Sequence, residues 1–239
     1  MQMMIALRSH AAVLAVLVFS AAVCAAILAA IVLLPGRNVA IPLGRAWSRW
    51  TLRTAGVRVI YDGAEHVCAD RAAVYVANHQ SMLDIPVLAP VLPVRLRFIA
   101  KQSLRRIPLF GSAMSASGAC VFIDRGDREE AVRSLSKAGA LVRRGDSVLI
   151  FPEGSRGTHG APLRPFKKGA FHLAEAAQVP IVPVAISGTQ RLMPSAAKLL
   201  PGEVRVRFAS PMTRLDDEDI DDYAARVRRA VDRMLMEMN

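Results

Sequence analysis

The first pattern along the chain is an uncharged apolar stretch near its N-terminus. Residues 11–34 are 24 positions without Asp, Glu, Lys, Arg or His. As a helix this stretch would be about 36 Å long, compared with about 30 Å for the hydrocarbon core of a bilayer. The pattern therefore predicts a helix that spans or embeds in a membrane. A cleaved signal peptide would have an apolar region of about 7 to 15 residues, and a buried core helix would normally be shorter and carry a polar stripe.

The next pattern, between Leu43 and Thr54, is that of an amphipathic helix. Arginines recur every fourth residue on one face, and two tryptophans share another face with Leu43. The arginines are Arg45, Arg49 and Arg53, and the tryptophans are Trp47 and Trp50. This arrangement favours an interfacial helix with tryptophans at headgroup depth and arginines near lipid phosphate. The alternative is an ordinary surface helix.

Short apolar or β-branched runs, each ended by Gly, Asp, Asn or Pro, fill the rest of the chain and predict strands. They are Val57–Tyr61, Ala72–Ala77, Val94–Ala100, Cys120–Asp124, Ser147–Phe151, Ile181–Ser187 and Val204–Ala209. Helical patterns alternate with them, notably at Arg128–Arg143, Lys168–Gln178 and Asp217–Met238. The alternation predicts an α/β fold with a mixed, mostly parallel sheet flanked by helices. We accordingly expect residues 1–55 to form a membrane anchor and interfacial helix, and residues 56–239 a cytosolic domain.

The charged residues indicate a type of binding partner and a cellular compartment. Lys and Arg number 31 against 20 Asp and Glu, a net charge of +11 that indicates an anionic partner such as nucleic acid, a membrane or a phosphorylated substrate. Among the arginines only Arg8 precedes the apolar stretch, whereas five follow it by residue 58. The positive-inside rule therefore predicts that the domain lies at the cytoplasmic face of the cell membrane. The odd number of cysteines, three, argues against a disulfide scaffold.

The first candidate catalytic residues follow the apolar run that ends at Ala77. His79 and Asp84 follow it, five residues apart, and ligands of α/β sheets gather at the carboxyl ends of strands. If His79 lies in a loop and reaches back to Asp84, the carboxylate can fix its tautomer while the imidazole takes a proton from a hydroxyl. The alternative is a capping box over Ser81 to Asp84, with His79 as an ordinary loop residue.

A second candidate follows the run that ends at Phe151. Gly154, Ser155 and Arg156 there combine a glycine, a hydroxyl and a guanidinium. This trio suits a phosphate monoester, because arginine binds its oxygens bidentately and glycine exposes backbone N–H groups. The alternative is a turn with a solvated arginine. Lys101 and Arg125 follow two other strand candidates and would add positive charge.

Other enzyme classes lose support because their motifs are missing. The sequence contains no G-x-S-x-G, H-E-x-x-H, G-x-x-x-x-G-K-[ST] or G-x-G-x-x-G motif. This argues against a serine hydrolase, a zincin, a P-loop enzyme and a dinucleotide-binding enzyme. The remaining histidines have no ligand spacing, so we expect no metal site.

Taken together, four ordered blocks resemble the glycerolipid acyltransferase family. They are Asn78-His79 with Asp84 at H-x-x-x-x-D spacing, Val121–Arg125, Phe151–Arg156 and Val179–Val184. Spacer segments around Lys101–Leu104 and Pro165–Lys167 are also similar, and the resemblance covers about residues 57–211. Ser155 stands where the family more often has threonine, a change that keeps the hydroxyl.

The resemblance implies acyl transfer from acyl-CoA or acyl carrier protein to the sn-2 hydroxyl of lysophosphatidate, without a cofactor. It implies that His79 is the general base oriented by Asp84, and that Glu153, Gly154, Ser155 and Arg156 hold the phosphate, with Arg125 and Lys101 adding charge. The implied partners are lipid, the acyl donor and an anionic membrane surface, not nucleic acid. A different acceptor, such as a lyso-ornithine lipid or glycerol-3-phosphate, stays open. A membrane-tethered lipid-binding protein without catalysis would be expected to have lost His79 or Asp84.

Overall fold

A computed structural model describes residues 2–37, 39–93, 95–157 and 162–238 of the chain. The helices and strands are, in chain order, α1 (Gln2–Leu33), α2 (Ala40–Ala55), β1 (Val57–Asp62), β2 (Val74–Ala77), α3 (Asp84–Leu88), β3 (Leu96–Lys101), α4 (Phe110–Ala116), β4 (Cys120–Ile123), α5 (Arg128–Arg143), β5 (Ser147–Ile150), α6 (Gly169–Ala177), β6 (Ile181–Ser187), α7 (Thr189–Leu192), β7 (Gly202–Phe208) and α8 (Ile220–Met238). All seven apolar runs form strands. The predicted start of the third strand, Val94, lies outside the described residues.

The strands form one mixed sheet in the order β1-β7-β6-β2-β5-β3-β4. Neighbouring strands are parallel throughout, except that β6 and β7 are antiparallel. The α/β class with a mostly parallel sheet is thereby confirmed. Strands β6, β2, β5, β3 and β4 are consecutive and point the same way, so their carboxyl ends share one edge, which we call the carboxyl edge.

Helices cover both faces of the sheet, which explains why its central strands are continuous apolar runs. In β2, Tyr75 and Ala77 face a layer that contains α1, α2 and α3. Val74 and Val76 face the opposite layer, built from α5, α6 and α8. All four of these side chains are fully buried, so β2 lies at the centre of the core and the loop after it has a rigid base.

Helix α1 contains the predicted apolar stretch and packs along the folded domain. An 18-residue stretch within Ala6–Leu33 has a mean hydropathy of 2.9, and this part of α1 is long and apolar enough to cross a membrane by length and composition. Near its start the Ser9 hydroxyl accepts a hydrogen bond from the Leu199 backbone N–H at 2.8 Å. Near its end Ile27 packs against Ala113 of α4. Helix α1 is thus joined to the domain at both ends, and the division between residues 55 and 56 stays a prediction.

The tryptophans of α2 pack on α1. The Trp47 indole N–H donates to Ser20 at 2.8 Å, and the rings of Trp50 and Phe19 lie 4.2 Å apart. Both tryptophans are half-buried, whereas Arg49 and Arg53 remain exposed. The two tryptophans, which the sequence predicts at headgroup depth, therefore hold the two N-terminal helices together.

Candidate active site

The loop after β2 is anchored by Asn78. Its buried side chain donates to the Ile186 carbonyl at 2.9 Å and accepts from the Ile186 N–H at 2.8 Å. These two bonds pair the amide with the backbone of β6, the neighbouring strand. Asn78 thereby fixes the direction in which the chain leaves the sheet, and with it the position of the next residue, His79.

His79 and Asp84 meet at the carboxyl edge. The His79 Nδ1 atom lies 2.6 Å from Asp84 Oδ2. Helix α3 begins at Asp84, so His79 is in the loop and can reach back, as the spacing required. Asp84 is fully buried, whereas the His79 side chain is 18% exposed. Because the carboxylate engages Nδ1, Nε2 is the nitrogen available to a substrate.

Half of the capping box considered for this loop is present together with the His–Asp pair: the Asp84 carboxylate accepts from the Ser81 N–H, but the Asp84 N–H donates to the Ser81 carbonyl and not to its hydroxyl. Asp84 Oδ2 accepts from the backbone N–H groups of Gln80 at 2.8 Å and Ser81 at 2.9 Å. The Ser81 hydroxyl accepts from the Leu83 N–H at 3.2 Å. The same carboxylate therefore caps the loop and orients His79.

Thr189 is a neighbour of this pair that sequence reasoning missed. Its hydroxyl donates to Asp84 Oδ1 at 2.6 Å, and both side chains are fully buried. Thr189 begins α7 directly after β6, so its place just past a strand at the carboxyl edge is the signal that could have found it. The ring of Phe151 stacks on His79 with centroids 4.1 Å apart and an interplanar angle of 17°, which limits the motion of the imidazole.

Glu153 joins the loop after β5 to the loop of His79. One carboxylate oxygen accepts from the His79 backbone N–H at 2.9 Å, and the other accepts from the Arg164 N–H at 3.3 Å. The Gly157 N–H donates to the His79 carbonyl at 2.8 Å. Glu153 is buried. Of the four residues predicted from this motif to hold phosphate, Glu153 alone has its side chain directed into the protein and bound to backbone N–H groups.

Gly154 lies in a crowded turn. Its φ of +78° is in the left-handed region, and an added Cβ would stand 2.8 Å from Lys167 Cε. The left-handed backbone conformation therefore favours glycine, whereas the end of the flexible Lys167 side chain could shift to make room for a Cβ. The Arg125 guanidinium donates to the Gly154 carbonyl, and burial lowers the pKa of Arg125 below its usual range.

Cationic side chains surround this turn. Arg164, which sequence reasoning missed, donates to the Ser155 hydroxyl; it comes just before the Pro165–Lys167 spacer. Arg156 is exposed beside Ser155. Lys101 is exposed at the end of β3, on the same edge. The loops thus place cationic side chains at the same edge of the sheet as the His–Asp pair, an arrangement suited to proton transfer on a substrate that carries phosphate.

The chain is similar in sequence to proteins of known family. Residues 58–187 match the family described as Acyltransferase. The chain is 38% identical over 178 residues to a 1-acyl-sn-glycerol-3-phosphate acyltransferase of Saccharomyces cerevisiae, covering 72% of this chain and 58% of that protein. It is 38% identical over 180 residues to the human 1-acyl-sn-glycerol-3-phosphate acyltransferase alpha, covering 74% and 63%. The chain thus spans about three fifths of the length of these curated relatives.

One solved structure matches over nearly the whole length of both chains. It is the 1-acyl-sn-glycerophosphate (LPA) acyltransferase PlsC from Thermotoga maritima, with a TM-score of 0.81 and 26% sequence identity. The match covers 97% of this chain and 96% of that one. The similarity therefore includes the two N-terminal helices as well as the sheet.

Proposed function

Because the chain belongs to the acyltransferase family, we propose that it transfers an acyl group from acyl-CoA or acyl carrier protein to the sn-2 hydroxyl of 1-acyl-glycerol-3-phosphate, giving phosphatidate. The observation that carries this proposal is the 2.6 Å contact between His79 and Asp84 at the carboxyl edge, next to a basic loop. The names of the relatives in yeast and human support the acceptor.

In this reaction His79 is the general base. Its Nε2 takes the proton of the acceptor hydroxyl as the oxygen attacks the thioester carbonyl. The new C–O ester bond forms, the C–S bond breaks, and the thiolate leaves and is protonated by the imidazolium. Asp84 stabilises that imidazolium. Because a thiolate is a good leaving group, direct transfer needs no covalent acyl-enzyme and no cofactor.

Thr189 acts in this scheme as a positioning residue. Its hydrogen bond to Asp84 Oδ1 and the two backbone N–H bonds to Oδ2 hold the carboxylate in one orientation. The carboxylate in turn accepts the Nδ1 proton of His79 and selects the tautomer with a basic Nε2. Phe151, stacked on the imidazole, helps to keep the ring in place.

The acceptor phosphate binds to the basic loop after β5. Ser155 and Arg156 are exposed there, Gly154 brings the backbone close, and Arg125 and Lys101 add positive charge from the adjacent strand ends. Glu153 has a different part, because a carboxylate would repel a phosphate dianion. Its bonds to the His79 and Arg164 backbones hold the base and the phosphate loop at a fixed separation.

The proposed function is tested by phosphatidate formation from lysophosphatidate with acyl-CoA and acyl carrier protein as donors. Lyso-ornithine lipid and glycerol-3-phosphate serve as competing acceptors. We expect the highest kcat/KM for lysophosphatidate. A higher kcat/KM for another acceptor would replace the proposed substrate, and the absence of transfer to any acceptor would favour a non-catalytic lipid-binding protein.

Substitution of Arg156 separates phosphate binding from the chemical step. Arg156→Ala is expected to raise the KM for lysophosphatidate about tenfold or more, with little change in the donor KM, because a bidentate arginine–phosphate pair is lost. Arg156→Lys should restore part of the affinity, since lysine lacks the planar fork. A two-substrate kinetic matrix measures both constants, with Arg143→Ala, an exposed arginine on α5, as the matched control. A defect confined to the donor KM would move Arg156 to the donor site.

We also propose that the protein is attached to the cytoplasmic face of the cell membrane. The apolar length of α1 and the arginines that follow it support this placement. Attachment is expected to survive a sodium carbonate wash, which removes proteins held by charge alone. Recovery of the full-length protein in the soluble fraction after cell fractionation would contradict the proposal.

A further inference from the structure

Residues 102–109, here called the 102–109 segment, connect the end of β3 to α4 and have an unusual surface. Leu104, Ile107 and Leu109 are 37%, 46% and 43% exposed, and Arg105 and Arg106 between them are also exposed. A single exposed apolar side chain is ordinary. Three exposed apolar side chains within six residues, interleaved with two arginines, are typical of a segment that inserts at a lipid–water interface.

The backbone holds the last of these side chains, Leu109, in an outward position. Leu109 has a φ of +61° and a ψ of −53°, and the Phe110 N–H donates to the Pro108 carbonyl at 2.6 Å. This is a γ-turn of the kind that is rare for residues with a side chain. Gly111 supports the turn, since an added Cβ would stand 1.9 Å from the Arg105 carbonyl oxygen. The unfavourable backbone conformation at Leu109 places an apolar side chain in solvent. Burial in the core of the domain does not explain this conformation.

The segment is continuous with the apolar helix. Phe110, Ala113 and Met114 of α4 pack in one cluster with Cys24 and Ile27 of α1. Elsewhere α1 leaves large apolar side chains exposed, namely Leu14, Leu17, Val18, Val32 and Leu33. The 102–109 segment thus lies between the apolar helix and the carboxyl edge, where β3 ends at Lys101.

We propose that the 102–109 segment docks into an anionic bilayer, with Leu104, Ile107 and Leu109 among the acyl chains and Arg105 and Arg106 on lipid phosphates. Docking holds the carboxyl edge at the headgroup plane, so that a lipid hydroxyl reaches His79 without leaving the membrane. The proposal rests on membrane attachment as part of the proposed function, and not on the identity of the acceptor. The arginines alone would also suit an acidic carrier protein, but the three apolar side chains and their continuity with α1 favour lipid.

The first test places an environment-sensitive probe on the segment. Full-length Ile107→Cys, labelled with a nitrobenzoxadiazole dye, is reconstituted into vesicles of phosphatidylcholine and phosphatidylglycerol. The native thiols are protected, because Cys24 and Cys68 are buried and burial raises the pKa of the Cys120 thiol to about 12. The matched control is labelled Val132→Cys, an exposed site on α5 in the opposite helix layer.

We expect a blue-shifted emission at position 107 that brominated lipids quench, and an aqueous emission at position 132. Since α1 keeps both variants on the vesicle, the probe reports the position of the segment rather than attachment. An emission at 107 as aqueous as at 132 overturns the proposal. Shielding of position 107 that appears only on addition of acyl carrier protein also overturns it, in favour of a carrier-docking surface.

The second test measures the consequence for catalysis. The double substitution Leu104→Ser with Ile107→Ser is expected to lower the rate on lysophosphatidate embedded in vesicles severalfold. The rate on a monomeric short-chain lysophosphatidate should stay unchanged, as should both rates in Val132→Ser. An equal loss on both acceptor forms would indicate damage to the fold and contradict the proposal. If the wild type acylates neither acceptor, the proposed function fails, while the probe experiment still decides whether the segment docks.

Discussion

His79→Ala is expected to lower kcat for acyl transfer by about 10² to 10⁴, the usual contribution of a general base. The fold should persist, because the loop is held by the main chain of His79. Its N–H donates to Glu153 and its carbonyl accepts from Gly157, and neither bond involves the imidazole. Asp84 also keeps its bonds from the Gln80 and Ser81 backbones and from Thr189.

The measurement compares turnover per folded molecule in the wild type and in His79→Ala. His172→Ala serves as the matched control, because His172 is exposed on α6, in the helix layer on the other side of the sheet from α1. We expect full activity in that control and an unchanged thermal unfolding midpoint in both variants. Near-full turnover of His79→Ala with lysophosphatidate would contradict the role of His79 as base.

Much of the fold was predictable because a strand that is buried on both faces of the sheet has a continuous apolar sequence. The strands β2 and β6 are continuous apolar runs for this reason, and each begins or ends close to its predicted position. The order of the strands was not predictable, since it depends on which crossover connection places β2 between β6 and β5. The antiparallel pairing of β6 with β7, which differs from the parallel pairing of the other described strands, likewise has no local signature.

The candidate site was predictable to the extent that its residues are neighbours in the chain. His79 and Asp84 share one short loop, so their spacing revealed the pair. Thr189 lies 105 residues from Asp84 along the chain, and its contact depends on the pairing of β2 with β6. Glu153 and Ser155 belong to the same motif, but the Glu153 side chain is buried and Ser155 is exposed. No pattern in the sequence distinguishes the two.

Asp84→Asn is the second substitution with a large expected effect, a loss of about 10² to 10⁴ in kcat. The local geometry allows the amide to replace the carboxylate. Its oxygen can take the Oδ2 position, which faces the N–H groups of Gln80 and Ser81 and the Nδ1 of His79. Its NH₂ group then faces the Thr189 hydroxyl, which can rotate from donor to acceptor. The substitution therefore removes the negative charge and little else.

Turnover per folded molecule and the unfolding midpoint together separate this effect from a structural one. The matched control is Asp146→Asn, because Asp146 is also a buried aspartate but binds Arg95 and Arg97 at the start of β5. We expect that control to unfold at a lower temperature and to keep its kcat. Asp84→Asn should show the reverse, a lost kcat with a nearly unchanged midpoint, since stabilisation of the imidazolium matters in the transition state and not in the resting fold. A normal kcat in Asp84→Asn would mean that His79 needs no charged partner, and Asp84 would then be left with capping its loop.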